Sequence, residues 1–407
     1  MAKAAEVAVS VEEVAAYFSE LKDPRSEVNR KHPLVSVVTI AVMAVLAGAG
    51  GPTAIARWAR LKAEFLARVL DLPHGIPSKD VFGRVLSALA PQAFQAGFSA
   101  WLTSLRAKAA GNSEGVRPVF PIDGKAARRT HDRQRGLGAL HSVSLWAADY
   151  GLSLGQVACD EKSNEITAIP ELLKLVDTQG AIITIDAMGT QTKIAEQIVA
   201  GGADYVLALK GNQETLHQGV VDYLDQQIEE DFANVTARRH TTTETGHGRA
   251  ETRHYVQLPA PKSLPGCERW AGLKTIGIAV LICLRDGKET TQVRYFISSL
   301  ELGVKQFARA VRSHWSIENS LHWSLDVTYR EDQLRIRHQH LRENFAWLNR
   351  FTLSLLKQHP AKMSQAMKRR SCGWSDDFLL QVVTGQGSQC ALALGERHPQ
   401  SAPIPHP

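Results

Sequence analysis

Cysteine is scarce in this chain. Its 407 residues include five, Cys159, Cys267, Cys283, Cys372 and Cys390, and no two form a CxxC pair. That pattern excludes a disulfide framework and a thiolate zinc cluster, and it fits reduced thiols in a cytosol. Long apolar runs are also missing. The stretch from Leu34 to Ala49 is interrupted by Ser36, Thr39 and Gly48, short of the roughly 18 uninterrupted apolar residues of a membrane span. A buried helix is expected there instead. The opening MAKAAEVAVSVEE has no apolar signal core behind a basic start. The expectation is a cytoplasmic protein without a membrane partner. No Walker-type loop, no GxGxxG after a strand and no GxSxG elbow is present, so nucleotide-driven, dehydrogenase and serine-hydrolase readings lose their usual support. Neither sign of charge dominates. Lys plus Arg number 47 against 41 for Asp plus Glu, a net charge of +6, which permits a polyanionic partner without demonstrating one.

What is present divides into segments. Residues 1–110 read as an all-α unit. Ser10 precedes a first helix and HPLVSVVTIAVMAVLAGAGG makes a second. Thr53 is placed as the cap of a third helix, and Ser78 as the cap of a stripe of Val81, Phe82, Val85 and Leu86. Phe94, Phe98 and Trp101 at i, i+4 and i+7 predict one further helix. GNSEG at 111–115 reads as a linker. From there the order changes to strand, hairpin, helix, strand, helix, strand through residue 211, which argues for a mixed α/β sheet. The first strand is placed at Pro118 to Ile122, and Pro170 is expected to divide the helix that follows the hairpin. Residues 212–300 hold an acidic helix and three predicted strands, ETRHYVQL, LKTIGIAVLICLR and TQVRYFISSL, a β-rich insertion. Helices resume over 301–357. Residues 358–407 read as a C-terminal helix and a disordered tail.

The chemistry gathers at acids. Asp123 follows VFPI and Asp186 follows IITI, where open α/β sheets gather reactive groups beside a crevice. Glu318 lies in RSHWSIENSLHWSLD on a face shared with His314, Trp315, His322 and Leu325. A Glu on such a face needs a cation, a metal or solvent. The H-x3-E-x3-H spacing is not the HExxH of a zinc enzyme, and Trp315, Trp323 and Trp347 are expected in the core. Three acids at one crevice can hold two divalent cations of the hard Mg2+ or Mn2+ kind, a device for in-line phosphodiester chemistry. Basic groups follow these acids: Lys125, Arg128 and Arg129 after Asp123, Arg249 in the insertion, and Arg330 after Glu318. Phosphate backbones recruit such clusters.

These residues resemble a bacterial insertion-sequence transposase of the DDE type, in the H-repeat-associated (ISAs-type) group. The likeness runs through DPR, HPL, IARW and GIPSKDVFGRV, then PIDGKAAR, TIDAMGTQ, DYVLALKGNQ, GHGRAETR, RYFISSL and HWSIENSLHWSLDVTYREDQLRIR. It implies a ribonuclease-H-like core split by the β-rich insertion and preceded by an all-α domain. Asp123, Asp186 and Glu318 would be the DDE triad and ligands of Mg2+ or Mn2+. The implied reaction is cleavage at element ends, then joining of a 3′-hydroxyl to target DNA. The implied partner is double-stranded DNA, both terminal inverted repeats and target, with a homodimer in the DNA complex as one way to hold two ends. Related enzymes carry Tyr, Arg and Lys around the Glu, where this chain has Val311, His314 and Leu325. Arg309 or Arg312 could replace the lost cation, and His314, when protonated, could donate one hydrogen bond to phosphate but not a bidentate one. Asp326, Glu331 and Asp332 are nearby alternatives for the third acid. Two other readings stay open: a degenerate or domesticated DNA-binding relative, and a metal-dependent nuclease without strand transfer.

Overall fold

The computed structural model describes residues 11–110, 116–159, 165–246 and 248–385. Ser10, the 111–115 linker and the tail beyond residue 385 lie outside the described residues. Seven helices form the first unit: α1 Val11–Ala16, α2 Leu34–Leu46, α3 Pro52–Leu61, α4 Ala63–Val69, α5 Lys79–Ala88, α6 Pro91–Ala96 and α7 Ser99–Ala110. Helix α2 carries no charge and buries every residue except Val35, so it is the apolar centre of this unit rather than a membrane span. Among the described residues no helix is long and apolar enough to cross a membrane. Helix α5 begins as its sequence dictates. Ser78 Oγ accepts the Val81 N–H at 3.4 Å, which satisfies an otherwise orphaned donor. Thr53 does not cap α3; Gly51 takes the cap position and Pro52 the first turn, where a missing N–H costs nothing. Phe94, Phe98 and Trp101 fall on two helices rather than one, because the chain breaks at Gly97 and Phe98 between α6 and α7. The rings still gather: Phe98 lies edge-on to Phe94 at 5.1 Å and to Phe351 at 4.5 Å.

A single nine-stranded sheet follows. Its elements in chain order are β1 Val119–Ala127, β2 Leu140–Ala147, β3 Leu152–Cys159, α8 Glu165–Leu175, β4 Ile182–Ile185, α9 Thr192–Ala200, β5 Asp204–Leu209, α10 Glu214–Glu229, β6 Arg238–Gly246, β7 Arg249–Pro259, β8 Thr275–Arg285 and β9 Lys288–Ser298. The spatial order is β3-β2-β1-β4-β5-β9-β8-β7-β6. Strands β1, β4 and β5 run parallel and the remaining pairings are antiparallel. The first five strands have the ribonuclease-H-like order. The β-rich segment continues this sheet, because β9 pairs with β5 from Val206↔Ser298 to Leu209↔Tyr295.

Three local expectations are corrected. Strand β1 does not end at Ile122; it runs to Ala127, held by β2. Helix α8 continues through Pro170. The segment after α10 has four strands, not three. The extra one, β6, is mostly exposed and lies at the sheet edge, so it carries no buried alternation to reveal it.

The C-terminal part comprises α11 Val304–His314, a π-helical turn Ile317–His322, α12 Trp323–Val327, α13 Gln339–Gln358, α14 Gln365–Trp374 and α15 Asp376–Thr384. Two helices, not one, follow residue 358. The long α13 joins the helical unit to the sheet. Asn344 donates to Leu86 O at 2.8 Å and Leu89 O at 2.9 Å, and Ser354 Oγ accepts the Ser153 N–H of β3 at 3.0 Å.

Candidate active site

Strand register brings the two aspartates together. Parallel pairing of β1 with β4 ends at Ile122↔Ile185. The next residue on each strand is therefore Asp123 and Asp186, side by side where the pairing stops. Each carboxylate is held by one oxygen. Asp186 Oδ1 accepts N–H bonds from Met188 at 3.1 Å and Gly189 at 3.3 Å, and Asp123 Oδ1 accepts from Gly124 at 2.9 Å. Backbone donors of this kind orient a carboxylate and leave its other oxygen available.

Gly124 is required by what lies beneath it. A Cβ there would overlap Glu165 Oε1 and come within 2.6 Å of His141 Nε2. Those two side chains form a buried pair at 2.7 Å, which packs directly under the strand that aims Asp123.

Glu318 reaches the same place from the π-helical turn after α11. Such turns widen the helix and re-aim side chains, and they recur at functional sites. The carboxyls of Asp123 and Glu318 meet and interact as a pair. Burial pushes Asp123 well above the usual carboxylate range, and the negative charges of Glu318 and Asp186 push it further. The imidazole of His322 holds Glu318 below that range. In the pair, Asp123 is the member that keeps the proton.

The three acids line one cleft of about 390 Å3 together with Lys210, Arg294, Tyr295 and His314. His314, the last residue of α11, has Nδ1 3.0 Å from Thr184 Oγ1. Burial lowers its pKa to about 4, so the ring is neutral at pH 7. The other acids near Glu318 are committed elsewhere. Asp326 and Asp332 face Lys125 Nζ at 2.6 and 3.7 Å. Glu331 is buried against Arg350 at 3.1 Å.

The basic residues expected from sequence divide into three groups. Lys125 turns inward and is buried, its ammonium taken by Asp326 and Asp332. Arg128, Arg129 and Arg330 are exposed; Arg128 also pairs with Asp332 at 3.2 Å. Arg249 and Arg312 pair with Glu251 at 2.7 Å and Glu244 at 3.0 Å, around a smaller hollow that shares Arg294 and Trp315 with the cleft.

Sequence reasoning missed Lys210 and Arg294. Lys210 had a signal, since it directly follows β5, the same strand-end position that singled out Asp186. Arg294 had none; it enters the cleft only because β9 pairs with β5. Two tryptophans assigned to the core are instead open, Trp315 at 37% and Trp323 at 58% exposure, while Trp347 is buried as expected.

The donor set suits a divalent cation. Ligand atoms of Asp123, Glu318 and His322 lie within 4.8 Å of one another, and Asp186 lines the same cleft. Carboxylate oxygens are the ligands that hard cations take.

Two family models match the chain. One, described as "Transposase DDE domain", matches residues 103–356, and the other, "DDE_Tnp_1-associated", matches residues 15–102. Among curated proteins, "H repeat-associated putative transposase YhhI" of Escherichia coli K12 is 33% identical over 93% of this chain and 100% of its own length. "Putative transposase YncI" of Escherichia coli O157:H7 is 38% identical over 92% of this chain and 95% of its own. Among solved structures, a piggyBac transposase synaptic complex with hairpin DNA is similar at 11% identity and a TM-score of 0.38, covering 93% of this chain and 81% of that one.

Proposed function

Because the chain belongs to the family of DDE-domain transposases, we propose that it cuts phosphodiester bonds at the ends of an insertion sequence and joins the freed 3′-hydroxyls to target DNA. The observation that carries this reading is the convergence of Asp123, Asp186 and Glu318 on one cleft from three separate elements. Bound there, Mg2+ or Mn2+ would supply Lewis acidity for the attacking and leaving oxygens of an in-line displacement.

The chain's own residues then have separable roles. Asp123 and Asp186 present fixed oxygens from the ends of adjacent strand pairings, and Glu318 supplies the third carboxylate from the π-helical turn. To hold a cation, Asp123 would have to be in its deprotonated form. Lys210 and Arg294 are placed inside the cleft to neutralise the phosphate being transferred. Arg294 thereby supplies the cation absent from the position of His314, whose neutral ring is limited to a single uncharged hydrogen bond. Outside the cleft, Arg128, Arg129 and Arg330 offer guanidinium groups to a duplex backbone. The reaction handles two DNA ends, which suits a homodimer assembled on DNA in the bacterial cytoplasm, at the nucleoid.

The test uses purified full-length protein, a duplex carrying an element end, a plasmid target and Mg2+. Wild type is expected to yield both cleaved and joined products. Asp186→Asn is expected to yield neither while retaining its fold by circular dichroism. Cleavage without joined products would favour the nuclease reading. DNA binding without cleavage by the wild type would favour a degenerate relative.

A further inference from the structure

His322 is 5% exposed and points its Nδ1 between two carboxylates. That nitrogen lies 3.6 Å from Asp123 Oδ2 and 3.5 Å from Glu318 Oε2. Both separations exceed the ordinary N–H···O range of about 2.7–3.2 Å. The other ring nitrogen, Nε2, is buried and has no hydrogen-bond partner among the described residues. A buried imidazole with only long contacts at Nδ1, the shorter of them to Glu318, and no partner at Nε2 is unusual and calls for a physical reason.

The spacing supplies one. Two ligands on neighbouring corners of an octahedral site, each about 2.0–2.2 Å from the cation, stand roughly 2.8–3.1 Å apart. The imidazole nitrogen stands about half an ångström wider from each carboxylate oxygen than octahedral corners require, so a bound cation would draw the three groups inward by that amount.

We propose that Nδ1 of His322 is a nitrogen ligand of the cation held by Asp123 and Glu318, an inference that rests on the metal-dependent reading above. Nδ1 offers its lone pair and the ring proton resides on Nε2. The chemical consequence is selectivity. A purely carboxylate site favours Mg2+, which keeps several waters, whereas imidazole adds affinity for Mn2+ and later transition metals. His322 therefore raises the affinity of this position for Mn2+ relative to Mg2+.

The experiment is pulsed electron paramagnetic resonance on full-length protein with Mn2+ alone. Wild type is expected to show nitrogen-14 coupling from a directly bound imidazole. The coupling should disappear in His322→Ala and in His322→Gln, persist in His314→Gln, and be accompanied by at least about a tenfold loss of Mn2+ affinity. Mg2+ affinity should fall less, so the Mn2+/Mg2+ preference narrows. Mn2+ that binds in an Asp123-dependent way without nitrogen coupling would overturn the assignment and leave the proposed function intact. Mn2+ binding that is indifferent to Asp123→Asn and to Glu318→Gln would overturn the metal-dependent reading itself. The wild-type spectrum reads the nitrogen coupling by itself, and two replacements at His322 and one at each acid keep the remaining outcomes readable if one variant folds poorly.

Discussion

Replacing Lys125 by methionine separates two roles that its neighbours make competitive. A lysine two residues after a catalytic aspartate is easily assigned to the DNA backbone. In the folded chain its side chain is only 7% exposed, and its ammonium lies 2.6 Å from Asp326 and 3.7 Å from Asp332. It ties β1 to the segment that follows Glu318. Removing one partner of a fully buried pair costs about 3–5 kcal/mol, while exposed pairs are worth about 0–1 kcal/mol. Here the lysine is buried but the carboxylates are 41% and 28% exposed. Water can resolvate them, so the expected loss for Lys125→Met is between those limits, about 1–3 kcal/mol. Urea unfolding should show it as a lower midpoint with an unchanged slope. Binding of duplex DNA across a salt series should keep the wild-type slope of log affinity against log salt, since no phosphate contact is lost. A variant of wild-type stability whose salt slope falls by about one would refute the tie and make Lys125 a phosphate contact.

Three further outcomes are expected. Burial and the charge of Glu318 raise Asp123 to about 8, above its unfolded value near 3.9, so stability from this group is present at low pH and lost as pH rises through that range. Asp123→Asn should accordingly raise the thermal midpoint at pH 8 in metal-free buffer and do little at pH 4, and a lower midpoint at pH 8 would contradict the charge assignment. Gly124→Ala forces a methyl group into the His141–Glu165 pair and should destabilise by about 1–3 kcal/mol in urea titration, with cleavage lost because Asp123 is displaced; near-normal stability would show that the pair can move aside. Arg129→Gln and Arg330→Gln should each lower the salt slope of DNA binding by about one without changing stability, and an unchanged slope would remove that residue from the interface.

Much of this architecture was legible locally. Helix α2 declared itself because an apolar, uncharged run of 13 residues has no stable place except inside a protein. Strand β4 was visible as a short β-branched run and β5 as a short apolar one, each closed by a polar residue, and the Ser78 cap of α5 follows from one side chain and one N–H. The losses have equally local causes. Strand β6 was invisible because an exposed edge strand has no apolar alternation, and its partner β7 supplies its hydrogen bonds. Strand β1 was cut short because Asp123 and Gly124 resemble a turn, whereas pairing with β2 carries them as strand. The exposed Trp315 and Trp323 were assigned to the core because a tryptophan has the same hydrophobicity wherever the chain places it.

The sequence by itself determined which residue types are available: three acids in matching contexts, arginines beside them, and the apolar segments that build helices and sheet. The tertiary structure alone decided which of them meet. The register Ile122↔Ile185 makes Asp123 and Asp186 neighbours, the pairing of β9 with β5 delivers Arg294, and a single π-helical turn sets Glu318 and His322 against Asp123. The physical reason is that local patterns reflect interactions within a turn or a strand, while register and packing join residues as far apart as Val45 and Arg369, 324 positions, through contacts that no local period encodes.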